Sequence, residues 1–121
     1  MRFVIPFPAK PKARPRHDSR SGRTHMPADY MDWKDKVVAY LRLTGQTKQP
    51  FTGNVRVSMV IGGGQVEVLI LPAMISRPKG VGGDLDNLAA GVLDAIQDAG
   101  LFPNDRNVME LSAIFESEEV G

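Results

Sequence analysis

At 121 residues the chain is long enough for one hydrophobic core, and we predict a single domain over residues 1–121. Its net charge of +1, with 24% charged and 42% hydrophobic residues, excludes a disordered chain and a uniformly basic nucleic-acid coat. The absence of cysteine excludes disulfides and thiolate metal sites. No uninterrupted apolar stretch has membrane-spanning length, so we expect a cytoplasmic protein with no membrane partner.

Hydrophobic periodicity predicts strands and helices in the order β-α-β-β-α-β. The predicted strands are residues 2–7, 54–61, 65–71 and 107–116, and the middle two form a hairpin. Apolar residues at helical spacing predict an amphipathic helix of about 16 residues between Pro27 and Gly45, and a second helix over 84–100 that Gly100 ends. We therefore expect an α+β fold, with two helices packed on a small mixed sheet of about four strands.

Charge is distributed unevenly along the chain. Residues 1–48 hold eleven Lys and Arg against four Asp, a net of +7, whereas residues 49–121 hold four against ten Asp and Glu, a net of −6. The positive charge is densest in a segment rich in Pro, Ser and Gly, which predicts a basic loop over 10–26; residues 116–121 form an acidic tail. This split favours a polyanionic partner for the first half, and a solvated loop without a ligand is the alternative.

Two aspartates, Asp84 and Asp86, straddle the start of the second helix and are followed by Asn87. One Asp can cap a helix, because the free amides and the dipole there favour a carboxylate, and capping remains an alternative reading. Two carboxylates and an amide exceed that need and can converge on a hard cation. A third carboxylate, Asp105, follows the helix; since about 15 helical residues span roughly 22 Å, the spacing alone leaves its distance from Asp86 open.

The segment GDLDNLAAGVLDAIQDAGLFPNDRNVMEL (83–111) closely resembles the signature of RusA-like Holliday junction resolvases. In that family a D-x-D-N pair opens a helix of the form "LDAL…AG", and a further Asp precedes a strand. The matching positions here are Asp84, Asp86, Asn87, Leu93–Ala95, Ala99, Gly100, Asp105, Val108, Glu110 and Leu111. Two positions depart from the pattern: Ala90 stands where the family has a Lys, and Asn104 where it has the first Asp of a "DD" turn.

The resemblance implies a homodimeric, Mg²⁺-dependent endodeoxyribonuclease that nicks four-way DNA junctions in symmetric pairs, with Mn²⁺ as an alternative ion. Its setting would be a bacterial cytoplasm or a phage-infected host. Carried over, Asp84, Asp86 and Asp105 would be the catalytic metal ligands, and Asp105 would reach the helix start, across the dimer if not within one chain. Basic side chains would hold the DNA through phosphate contacts; the candidates are Lys10, Lys12, Arg14, Arg16, Arg20, Arg23, Arg77 and Lys79.

Other functions remain open at this point. The loss of the helix lysine at Ala90 is compatible with a protein of the same fold that binds branched DNA with weak or no cleavage. A nuclease for forks or flaps would use the same residues. The last alternative is an interaction protein whose aspartates only cap a helix.

Overall fold

The computed structural model describes residues 1–12, 16–18 and 22–116, with the backbone alone for residues 16–18, 23 and 24. The chain divides into two compact units, Met1–Ala73 and Met74–Gly121. One domain over 1–121 stays a prediction. No helix among the described residues is long and apolar enough to cross a membrane.

The first unit contains a three-stranded antiparallel sheet with a helix. Its elements are β1 (Arg2–Ile5), β2 (Arg16–Asp18), β3 (Arg23–His25), α1 (Ala28–Leu43), β4 (Val55–Ile61) and β5 (Val66–Pro72). The sheet order is β1-β5-β4, so β5 is the central strand. Ile61 lies opposite Val66 in the register of β4 and β5, which confirms the hairpin across the glycines at 62–64.

Helix α1 and the sheet supply the core of this unit. Val37 of α1 is buried, and so are Val66 and Val68 of the central strand. The rings of Phe7 and Tyr40 meet edge to face with their centroids 5.7 Å apart. The prediction of a 16-residue helix before Gly45 is confirmed, because α1 spans 16 residues.

The predicted basic loop over 10–26 contains two short strands that pair antiparallel, which its sequence does not indicate. Strands β2 and β3 pair with Arg16 opposite His25 and Asp18 opposite Arg23. A two-stranded ribbon needs only that two short segments exchange backbone hydrogen bonds across a turn. Charge and proline content indicate that a segment is solvated but do not indicate backbone pairing, so they do not predict these strands.

The second unit is built on α2 (Leu85–Asp98), which a 3-10 helix (Asp105–Asn107) follows. The helix ends in a Schellman motif: the Gly100 amide donates to the Gln97 carbonyl at 2.9 Å, and the Leu101 amide to the Ile96 carbonyl at 3.3 Å. Gly100 has a φ of 89°, in the left-handed region. The predicted second helix and its glycine end are therefore confirmed.

Helix α2 carries two rows of apolar residues. One row is half-buried and comprises Leu85, Ala89, Leu93 and Ile96. The other row is exposed and comprises Leu88, Val92, Ala95 and the C-cap residue Ala99. We call the second set the exposed row of α2. Its spacing of four, three and four residues is that of a helix-packing seam.

The predicted strand over 107–116 is not confirmed. Residues 105–107 form the 3-10 helix, and residues 108–116 have no regular secondary structure. Met109 and Ile114 are 85% and 70% exposed, although their segment is apolar. A strand requires a neighbour that takes up its backbone hydrogen bonds, and an apolar pattern does not supply one. The fold class, α+β with two helices, is confirmed, but the sheet has three antiparallel strands and not about four in a mixed arrangement.

Candidate metal and DNA site

Asp84 and Asp86 lie at the start of α2. Asp84 is the N-cap residue, with extended backbone (φ −83°, ψ 145°), and its side chain makes no capping hydrogen bond. Asp86 lies in the first helical turn, and both residues are exposed. The capping alternative gives Asp84 a hydrogen bond from a first-turn amide, which the structure lacks. The positive end of a helix dipole favours carboxylates, and two exposed carboxylates at one helix end are suited to hold a cation with its water shell.

Asp105 lies beside the other end of α2. Its backbone amide donates to the Gln97 side-chain oxygen at 3.1 Å. A capping box fixes the 3-10 helix that Asp105 begins: the Asn104 side chain accepts from the Arg106 amide at 2.9 Å, and the Asn107 side chain accepts from the Asn104 amide at 3.1 Å. Asp105 is therefore held firmly at the last turn of the helix.

Within one chain, the three predicted ligands are not brought together. Asp86 and Gln97 are eleven residues apart on α2, which corresponds to about 16 Å along the axis. Among the residues that the structure describes, no three His, Asp or Glu side chains lie close enough to share a metal ion. A single chain thus offers Asp84 and Asp86 at one end of α2 and Asp105 at the other.

The loop before Asp84 is tied down by Arg77. The Arg77 Nη1 donates a hydrogen bond to the Gly83 carbonyl. The Arg77 guanidinium also lies over the Phe115 ring, with its carbon 4.6 Å from the ring centroid. Gly83 has a φ of 89°, so a side chain at this position would be strained.

The predicted DNA-binding residues have different environments. Lys10 forms an ion pair with Asp29 of α1 at 2.9 Å, and this hydrogen bond lowers the pKa of Asp29, as does a backbone hydrogen bond from Tyr30. Lys12 and Lys79 are exposed. Arg14 and Arg20 lie outside the described residues, and only the backbone of Arg16 and Arg23 is described.

Nearby contacts anchor the start of the basic segment on α1. The Trp33 indole N–H donates to the Pro8 carbonyl at 3.0 Å, and the Lys36 ammonium lies 4.3 Å from the Phe7 ring centroid. Together with the Lys10–Asp29 pair, these contacts bind residues 7–10 to one helix. The first residues of the basic segment are therefore fixed against α1.

Sequence reasoning missed two residues that shape the site. Gln97 holds the Asp105 amide, and Phe115 stacks on Arg77. Neither contact has a short-range sequence signal, because the partners are eight and 38 residues apart. The pattern Asn104-x-x-Asn107, by contrast, is a recognisable cap signal. Ala90 is exposed on α2, one turn after Asp86.

Fold and site define a small α+β protein with an acidic helix start, a separate anchored aspartate and a basic segment. The family model Endodeoxyribonuclease RusA matches residues 6–120, nearly the whole chain, and the chain belongs to this family of Holliday junction endodeoxyribonucleases. Membership implies a branched DNA substrate. No curated protein and no solved structure matches the chain.

Proposed function

We propose that this chain is a Mg²⁺-dependent endonuclease that resolves Holliday junctions by paired symmetric nicks, in a bacterial cytoplasm or a phage-infected host. The observation that carries the proposal is the carboxylate of Asp84, which stands at the N-cap of α2 without capping it. Asp86 follows two residues later on the same exposed helix start. The chain belongs to a family of DNA endonucleases, so these carboxylates have a role available to them in phosphodiester hydrolysis.

The residues at the start of α2 fit a Mg²⁺ ion. Mg²⁺ keeps several waters and is usually held by one or two carboxylates, so Asp84 and Asp86 suffice for a first set of ligands, and Mn²⁺ takes the same kind of donors. When bound, the ion supplies Lewis acidity and a water that loses its proton readily. Asp84 and Asp86 would hold such an ion, and the N-terminal dipole of α2 would add to the positive field that a scissile phosphate meets.

A second copy of the chain would complete the site with the remaining aspartate. The exposed row of α2 has the spacing of a packing seam, and Val92 at its centre is 62% exposed. If two copies of α2 cross in antiparallel fashion about a two-fold axis, the start of each helix lies beside the end of the other. Asp105 of the partner subunit would then approach Asp84 and Asp86. A homodimer of this kind has two sites, as paired nicks require.

The basic side chains would hold the DNA strands. Phosphate contacts from Lys12, Lys79 and the arginines of the basic segment position a duplex without reading its sequence. Selectivity for a junction would follow from shape, since a two-fold dimer matches the pseudo-symmetry of a four-way junction.

The experiment compares the wild-type chain with Asp86→Asn on a synthetic four-way junction and on a linear duplex of the same sequence, with and without Mg²⁺. We expect paired nicks in the junction only, dependent on Mg²⁺ and lost in the variant. Asp94→Asn is the matched control, because Asp94 is also an exposed aspartate of α2. Equal cleavage of forks or flaps would favour a broader branched-DNA nuclease.

A second candidate is a junction-binding protein that does not cleave. Ala90 favours it, because the family lysine is missing one turn after Asp86. A lysine at that place can stabilise the charge that develops in the transition state. Tight junction binding without nicks at any Mg²⁺ or Mn²⁺ concentration would support this candidate and contradict the nuclease.

A further inference from the structure

Arg77 joins two segments that each carry part of the proposed site. Its guanidinium donates to the carbonyl of Gly83, the residue immediately before Asp84. The same guanidinium lies over Phe115, in the segment that follows Asp105. The sequence predicts a phosphate contact for Arg77, whereas its guanidinium contacts Gly83 and Phe115, both in the second unit.

The hydrogen bond to Gly83 bears directly on Asp84. The Gly83 carbonyl and the Asp84 amide belong to one planar peptide group, so a fixed carbonyl direction fixes the plane from which Asp84 departs. The loop that Arg77 closes contains a turn in which the Val81 amide donates to the Pro78 carbonyl at 3.4 Å. On its other side Gly83 approaches Leu88 of α2: a Cβ added to Gly83 would lie 3.6 Å from that side chain. The peptide before Asp84 is therefore held by the Arg77 hydrogen bond, and the space beside its glycine is bounded by Leu88.

We propose that Arg77 is a positioning residue for the metal site: it orients the Gly83–Asp84 peptide, and with it the Asp84 carboxylate, while the Phe115 ring holds the guanidinium plane. The inference rests on the proposed function, because it assigns Asp84 a cation to hold. Residues that orient metal ligands typically change metal affinity by about 10–100-fold when they are replaced. A guanidinium is suited to the task because it is planar and can stack and donate at once, which an ammonium cannot do.

The test measures Mn²⁺ binding to the DNA-free full chain by electron paramagnetic resonance. We expect Arg77→Ala and Arg77→Lys to raise the Mn²⁺ dissociation constant about tenfold, although Arg77→Lys keeps the charge. Phe115→Leu should raise it about threefold, and Phe115→Tyr, which restores a ring, should return it to the wild-type value. Arg56→Ala is the control for a lost surface arginine, because Arg56 is exposed on β4. Circular dichroism and thermal unfolding show whether each variant is folded. If Arg77→Ala does not fold, Arg77→Lys still tests the inference.

A second measurement separates positioning from phosphate contact. Junction affinity without metal is measured as a function of salt. A flatter salt dependence for Arg77→Ala but not for Arg77→Lys, with Mn²⁺ binding unchanged in both variants, would make Arg77 a phosphate contact and overturn the inference. Wild-type and Arg77 variants that all bind Mn²⁺ equally would overturn it while leaving the proposed function standing. A wild-type chain that binds no Mn²⁺ would refute both.

Discussion

The backbone amide of Asp105 donates to the side-chain oxygen of Gln97 across 3.1 Å. Gln97 is half-buried in the last turn of α2, so this bond ties Asp105 to the helix end. The capping box of Asn104 and Asn107 holds the same short segment from its other side. Asp105 thus has a fixed place relative to α2, at the end away from Asp84 and Asp86.

Replacing Gln97 should loosen the position of Asp105 while leaving the predicted DNA-binding side chains unchanged. Gln97→Met keeps the side-chain length and removes the acceptor; a hydrogen bond of about 1 kcal/mol corresponds to roughly a fivefold loss in junction cleavage. Gln97→Glu keeps an acceptor oxygen and should retain cleavage within about twofold. Single-turnover cleavage rates provide the measurement. If both variants cleaved at the wild-type rate, the contact between Gln97 and Asp105 would not matter for the reaction.

Mixing two inactive variants tests whether the site is shared between chains. Asp86→Asn and Asp105→Asn should each abolish nicking. In a mixed dimer with shared sites, one site combines both substitutions and the other is fully wild type. We therefore expect nicking to return in a refolded mixture, with one nick per junction. A site confined to one chain would stay inactive in every mixture, and that result would refute the shared arrangement.

The exposed row of α2 predicts where the dimer forms. Val92→Asp places a charge at the centre of this row and should shift the protein to a monomer in sedimentation velocity. Burial of an unpaired carboxylate in an interface is strongly unfavourable. Val60→Asp on β4 is a matched control, because Val60 is 66% exposed against 62% for Val92. A monomer from Val60→Asp and a dimer from Val92→Asp would place the interface on β4 instead.

Restoring the family lysine should accelerate cleavage. Ala90→Lys adds a cation one helical turn after Asp86, where it can stabilise negative charge in the transition state. We expect an increase of at least about tenfold in the single-turnover rate. Ala39→Lys adds the same charge on an exposed position of α1 and serves as control. A rate that is unchanged or lower would show that another cation already occupies this role.

Breaking the pair of Lys10 and Asp29 should strengthen DNA binding. Asp29→Asn releases Lys10 for a phosphate, so the slope of log K against log salt should steepen by about 0.9. Asp35→Asn removes the same charge from an exposed position of α1 without releasing Lys10, and should leave the slope unchanged. The ion pair should also depend on pH. Because Lys10 lowers the pKa of Asp29, the pair contributes to folding stability at pH values above the ordinary 3.8, and this contribution is lost as the pH falls through the lowered pKa. An unaltered slope for Asp29→Asn would mean that Lys10 does not contact DNA.

The sequence predicts best those elements whose signals are local. The hairpin of β4 and β5, both helices and the glycine end of α2 follow from periodicity and turn residues that are neighbours in the chain. The last strand fails because its apolar residues need a partner strand, which no local pattern specifies. Among the candidate ligands, the helix start places Asp84 and Asp86 together, whereas the place of Asp105 relative to α2 depends on its contact with Gln97, eight residues earlier in the chain.

Helix α2 is bounded by two left-handed glycines, Gly83 and Gly100, each with a φ of 89°. The length of α2 therefore sets both the distance and the rotation about the helix axis between Asp84 and Asp86 at its start and Asp105 at its end. Inserting one residue would lengthen it by about 1.5 Å and also turn one end by about 100° relative to the other. Seven inserted residues would nearly restore the phase but add about 10 Å. Length changes should therefore be tolerated far less in α2 than in the exposed glycine loop at 62–64.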